Sequence, residues 1–127
     1  MEKKSIVKEK AFEFALQIIK LSRFLQDKNE YIISKQILRS GTSIGANITE
    51  ALAGQSTRDF SFKMSIASKE SRETFYWLSL LHQSQLVRYD FSKEMERCKE
   101  LIRLLTAIVK TTRNRNYGSI RTDQSNN

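Results

Sequence analysis

Apolar residues recur along this chain at alternating spacings of four and three, the period of one face of an α-helix. Val7, Ala11, Phe14, Ile18, Leu21 and Leu25 form the first such row, Phe12, Leu16 and Ile19 widen it, and Asp27, Lys28 and Asn29 close it. This predicts a helix over about residues 5–27. A second row, Ile33, Ile37, Ser40, Ile44, Ile48 and Ala51, predicts a helix over about residues 30–54. Gly41 and Gly45 fall inside it, each weakening a helix by about 1 kcal/mol relative to alanine. A break across residues 40–43 is the competing reading, but the isoleucine row keeps its phase across both glycines, which favours continuity. Ser56 or Thr57 can cap a third helix over about residues 57–86, with the stripe Phe60, Met64, Ala67, Ser71, Thr74, Leu78 and Leu81. A fourth, over about residues 91–115, carries Phe91, Met95, Cys98, Ile102, Leu105, Val109 and Thr112. Beyond Tyr117, residues 118–127 read as a disordered polar tail.

The three connections are short, so consecutive helices should be antiparallel neighbours. The expected fold is all-α, an up-down four-helix bundle in one domain over residues 1–117. Composition agrees: there is no proline and only four glycines in 127 residues, too few turn formers for a β-sandwich or a doubly wound sheet. A chain of this length buries enough surface to fold without a metal or a disulfide, and its single cysteine, Cys98, leaves none to form within the chain. The charged opening segment (Lys8, Glu9, Lys10, Glu13) is unlike a signal peptide, and no apolar run reaches the ~18 residues of a membrane span. A cytoplasmic location is expected.

Little in the sequence suggests catalysis. A di-iron site in a bundle needs inward Glu-x-x-His pairs, but the only histidine is His82 and position 79 is Ser79. Glu70 and Glu73 have the spacing of paired carboxylates without an imidazole. Cys98 lies on an apolar row, where a thiol serves as a small apolar side chain. Gly41 and Gly45 lack the spacing and lysine of a phosphate-binding loop. No catalytic residue, cofactor or metal is expected.

Several features point to binding instead. Gly41 and Gly45 lie on one flank of the second helix, beside Ser34 and Leu38, and would let another helix approach closely. That helix belongs either to the same bundle or to another subunit, so both glycines join the candidate interface. Phe62, Ile66, Trp77 and Leu80 spread the apolar arc of the third helix beyond what one core needs, and are read as a subunit interface rather than a wide core. Lys63 and Glu70 lie near that arc, Asn47 and Glu50 on the facing flank of the second helix; burying them demands pairing, so the four form a candidate buried polar network. The net charge is +8, and basic residues concentrate late in the chain. Lys99, Arg103, Lys110 and Arg113 share a flank of the fourth helix. Lys69, Arg72 and Tyr76 cluster on the outside of the third, and Lys35 and Arg39 on the outside of the second. An aromatic among cations suits stacking and phosphate contact with single-stranded RNA, so these nine are candidate nucleic-acid contacts. The competing function is a protein-interaction scaffold whose basic surface only confers solubility.

The run from Arg39 to Ala51, containing Ser-Gly-Thr-Ser-Ile-Gly-Ala-Asn, together with Asp59-Phe60, residues 63–67 and residues 69–78, resembles the bacterial four helix bundle protein family. The opening residues 6–12 also fit, and the resemblance spans about residues 5–117. Members of that family include proteins encoded by intervening sequences within genes for large-subunit ribosomal RNA. The resemblance implies an up-down bundle, assembly as a homopentamer and no known enzymatic activity, and brings no binding residues to transfer. A related group, the accessory variability determinants of diversity-generating retroelements, uses a pentameric basic bundle to bind reverse transcriptase and nucleic acid; this sequence is not closely similar to it. The expected partners are further copies of the chain, RNA or DNA, or another protein, and no membrane.

Overall fold

The computed structural model describes residues 2–125, and the side chains of residues 6–114. Four helices follow in order: α1 (Glu2–Asp27), α2 (Ile32–Ala53), α3 (Thr57–Ser84) and α4 (Ser92–Ser125). Among the described residues there is no strand. Contacts run α1–α2, α2–α3, α3–α4 and, more sparsely, α4–α1, with none across either diagonal among the described residues. The helices therefore stand in a square, with α1 and α3 at opposite corners.

The end of α1, the start of α2 and both ends of α3 carry recognisable local devices. α1 stops where Asn29 takes a left-handed conformation (φ 65°), which lets Glu30 N–H reach Leu25 O at 2.9 Å and Asn29 N–H reach Gln26 O at 2.9 Å. This is the paired closure that a left-handed residue allows. Glu30 then turns its buried carboxylate onto the next helix, accepting from the backbone N–H groups of Ile32, Ile33 and Ser34 at 3.2, 3.2 and 2.8 Å. Three of the unpaired donors at the start of α2 are satisfied in this way. Ser56 is the cap of α3, its hydroxyl accepting from Asp59 N–H at 3.1 Å. Gln85, at φ 49°, ends α3.

The core is built from the predicted rows. Val7, Ala11, Phe14, Ile18, Leu21 and Leu25 are buried, as are Ile37, Ile44, Ile48 and Ala51 of α2 and Met64, Ala67, Leu78 and Leu81 of α3. α2 is continuous through both glycines. Polar members of these rows bond within the core: the Thr74 and Ser40 hydroxyls lie 2.8 Å apart across α2 and α3, and the Cys98 thiol reaches Ser71 O at 3.2 Å.

Four expectations change. Phe12, Leu16 and Ile19 do not widen the core row of α1; they are 67%, 49% and 42% exposed on its outer side. From Phe91, just before α4, the buried positions are Phe91, Glu94, Cys98, Leu101, Leu105, Ile108, Val109 and Thr112, whereas Met95 and Ile102 are only half-buried. Phe91, Cys98, Leu105, Val109 and Thr112 are common to the expected and observed rows, and periodicity cannot tell which side fills the positions between the first three. One oxygen of the buried Glu94 carboxylate accepts from the Tyr89 hydroxyl at 2.7 Å, while the other is buried without a hydrogen-bond partner among the described residues; burial, with that carboxylate beside it, pushes the Tyr89 phenol up to about 12. α4 also runs on to Ser125 instead of ending near Arg115, so the expected polar tail is helical as far as its described residues go. Without a proline, Gly118 alone is a weak stop, about 1 kcal/mol against alanine. Residues 126–127 lie outside the described residues.

The fourth change concerns only the interface assignment of Gly41 and Gly45: of the two neighbours left open for them, it is a helix of the same bundle that meets them. A β-carbon at Gly41 would sit 2.9 Å from Ile18 Cγ2, and one at Gly45 would sit 3.6 Å from Ala11 Cβ. The helix that approaches them is α1 of the same chain. They are removed from the candidate subunit interface.

Candidate nucleic-acid interface

Antiparallel packing of α3 against α4 sets the cationic residues of the two helices side by side. Lys69, Arg72 and Tyr76 follow one another at i, i+3 and i+7 along α3, a single exposed row. Facing them, Lys110 and Arg113 stand on α4 and, with Lys69 and Arg72, line one open groove of about 520 Å³ together with Ser65, Ser68 and Thr106; Tyr76 stands on the same α3 row, one turn beyond that lining. Among the described residues no acidic side chain lines this groove. Arg72 is oriented by a 2.8 Å hydrogen bond to the Thr106 hydroxyl, a neutral partner that leaves its charge uncompensated. Four cations, three hydroxyls and no carboxylate form a surface that attracts anions and can bond phosphate oxygens.

The other nominated cations divide. Lys99 and Arg103 lie further along α4 in a depression shared with Glu96 and Glu100, so their field is partly cancelled. Glu100 also pairs with Lys10 at 3.2 Å, and Lys99 Nζ rests 5.5 Å from the Phe75 ring centroid. Lys35 is exposed on α2. Arg39 is committed elsewhere: its guanidinium bonds Glu70 at 3.2 Å and also Glu73. Its hydrogen bond to Glu73 raises the Arg39 pKa further, so this cation is already neutralised by two carboxylates and leaves the candidate contacts.

The buried network expected of Asn47, Glu50, Lys63 and Glu70 is not assembled. Lys63 and Glu50 pair at 2.7 Å, but at the surface, with side chains 36% and 59% exposed. Glu70 turns to Arg39 instead, and Asn47 donates to Ser43 O of its own helix at 2.8 Å. Two ion pairs and a local bond satisfy these groups separately, with Glu70 and Asn47 half-buried and the Lys63–Glu50 pair at the surface, so no fully buried network has to be desolvated.

On α3, Phe62 and Leu80 are 63% and 38% exposed, while Ile66 and Trp77 are half-buried. The Trp77 indole N–H donates to Glu73 at 3.0 Å, and that bond first, then Arg39, lowers the Glu73 pKa. Through Glu73 and Arg39, Trp77 is tied to α2, while Phe62, Leu80 and Tyr76 are exposed. Sequence reasoning misses Ser65, Ser68 and Thr106, whose only signal is their position one turn from Lys69, Arg72 and Lys110. It also misses the exposed row Phe12, Leu16 and Ile19, which periodicity alone places in the core.

Reactive groups are sparse around these features. Among the described residues no cluster of His, Cys, Asp and Glu could hold a metal ion. Burial pushes the Cys98 thiol up to about 12, far from an activated nucleophile. No described helix is long and apolar enough to cross a membrane.

The bundle is similar to the crystal structure of a protein of unknown function from the S23 ribosomal protein family of Bacteroides thetaiotaomicron, with a TM-score of 0.80 and 46% identity, over 85% of this chain and 98% of that one. No curated protein matches the chain. The family model described as 23S rRNA-intervening sequence protein matches residues 3–107, and by that match the chain belongs to the 23S rRNA-intervening sequence protein family.

Proposed function

We propose that this protein is a non-enzymatic, cytoplasmic, homo-oligomeric bundle that binds nucleic acid, RNA foremost, along its α3–α4 face. The observation that carries this reading is the convergence of Lys69, Arg72, Lys110 and Arg113 on one groove without an acidic neighbour among its described lining residues. Surface lysines and arginines are ordinary on helices; here two helices pool them while the nearest carboxylates of α3 face α2. The family's description, which refers to 23S rRNA, is in keeping with an RNA partner.

Assembly is supported by the two outward apolar rows. Phe12, Leu16 and Ile19 lie on α1, and Phe62 and Leu80 on α3, at opposite corners of the square. Rows that point away from each other cannot cover one another within a chain. Joined head to tail between copies, they generate a closed ring or an open filament; the homopentamer implied by the family resemblance is the closed form. The same rows favour the second reading, an interaction scaffold in which they seat another protein and the basic groove touches no nucleic acid.

Charge reversal at Lys69→Glu and Lys110→Glu separates the two. RNA affinity at 100 mM salt should fall by roughly tenfold or more. The slope of log affinity against log salt should shrink by about 0.7 for each single-strand phosphate no longer neutralised. Light scattering should show the same assembled mass. RNA binding that survives the double reversal, or that is absent in the wild type at low salt, overturns the nucleic-acid reading.

A further inference from the structure

Tyr76 is 57% exposed, yet it is held in place. Its ring stands edge-on to Trp77, centroids 5.2 Å apart at 68°. Trp77 is pinned through its indole N–H to Glu73, and Glu73 is gripped by Arg39 from α2. A chain of contacts reaching back to a second helix thus braces an aromatic that the core does not use. Tyr76 stands one turn beyond Arg72 and two beyond Lys69, about 10 Å along the same face.

We infer that the α3–α4 face takes single-stranded rather than duplex nucleic acid, with an unpaired base stacked on Tyr76 while Lys69, Arg72, Lys110 and Arg113 hold the adjoining phosphates. This rests on the nucleic-acid reading above and adds the strand state and the residue that selects it. A duplex keeps its bases paired and stacked inside, and the narrow deep groove of A-form RNA admits no side chains. Two helices side by side project nothing able to open it, so an aromatic lying on their face can meet only a base that is already unstacked. A flat π-face flanked by cations is the combination that binds single strands without requiring a particular base. Arg39, Glu73 and Trp77 are then positioning residues for Tyr76, not contacts.

The test uses the full-length protein and fluorescence anisotropy with a labelled oligouridine and, separately, a labelled RNA duplex of equal length at fixed salt. Oligouridine should bind at least about tenfold more tightly than the duplex. Tyr76→Ala should weaken oligouridine by roughly five- to a hundredfold, leave duplex binding unchanged and leave the salt slope unchanged, because no charge is removed. Tyr76→Phe should bind like the wild type. Equal affinity for both probes, with Tyr76→Ala harmless, overturns the single-strand inference and leaves the basic groove standing. Binding of neither probe overturns the nucleic-acid reading itself. A change in assembled mass for Tyr76→Ala, with oligouridine binding retained, reassigns Tyr76 to a contact between copies and also overturns the inference.

Discussion

At the scale of single residues, two glycines four positions apart carry different constraints. A methyl group at Gly41 would come within 2.9 Å of a branch carbon of Ile18, which is stiff and buried, whereas at Gly45 it would meet Ala11 at an ordinary 3.6 Å. Both substitutions gain about 1 kcal/mol of helix propensity. Gly41→Ala must also overcome overpacking of about 1–3 kcal/mol. Urea denaturation should therefore show Gly41→Ala less stable than wild type, by about 1 kcal/mol, and Gly45→Ala equal to it or more stable by up to about 1 kcal/mol. The opposite order would mean that α1 and α2 do not approach as described. The sequence shows two small residues on one flank; which neighbour they meet, and how closely, depends on contacts with Ile18 and Ala11 of the preceding helix, 23 and 34 positions earlier in the chain.

At the scale of the element, the start of α2 depends on a side chain that ordinary capping preferences pass over. Ser, Thr, Asp and Asn lead at such positions, which is why Ser56 is legible as the cap of α3 while Glu30 is not legible as the group that closes α2. Glu30 reaches three backbone donors only because Asn29 adopts a left-handed turn that folds the carboxylate over the helix end. Glu30→Ala should lower stability by about 1–2 kcal/mol, read from the denaturation midpoint, with Glu30→Gln intermediate because one acceptor oxygen remains. A fully stable Glu30→Ala protein would show that water replaces the carboxylate at no cost. α4 illustrates the limit of periodicity within an element. Periodicity identifies Phe91, Cys98, Leu105, Val109 and Thr112, but between the first three it places Met95 and Ile102, which are half-buried, in place of Glu94 and Leu101.

At the scale of the whole molecule, the square arrangement decides which surfaces remain for partners. Phe12, Leu16 and Ile19 read as core when α1 is considered alone, and become an outward face once α2 and α4 fill the other sides. If that face meets the α3 face of a second copy, damage to either should break the same contact. Leu16→Glu and Leu80→Glu, both at exposed positions, should each keep the helical content of the wild type and reduce the assembled mass in light scattering. An unchanged mass in both variants would rule out this pairing of faces. The basic groove belongs to the same scale. In the sequence the cations of α3 and of α4 read as two separate surfaces; antiparallel packing combines Lys69 and Arg72 with Lys110 and Arg113, while Glu70 and Glu73 withdraw Arg39.

The sequence by itself determined that there are four helices, that they connect by short turns into an antiparallel bundle, and which row of α1, α2 and α3 is buried, because helical periodicity is a property of each segment and survives without its neighbours. Only the tertiary structure decided the rotation of α4, the partner of the two glycines, the exposure of the α1 row, the dispersal of the expected polar network and the meeting of cations in one groove. Each of these depends on the distance and facing of residues far apart in the chain, and on competition among polar groups for the nearest opposite charge. That competition is settled when all four helices pack together.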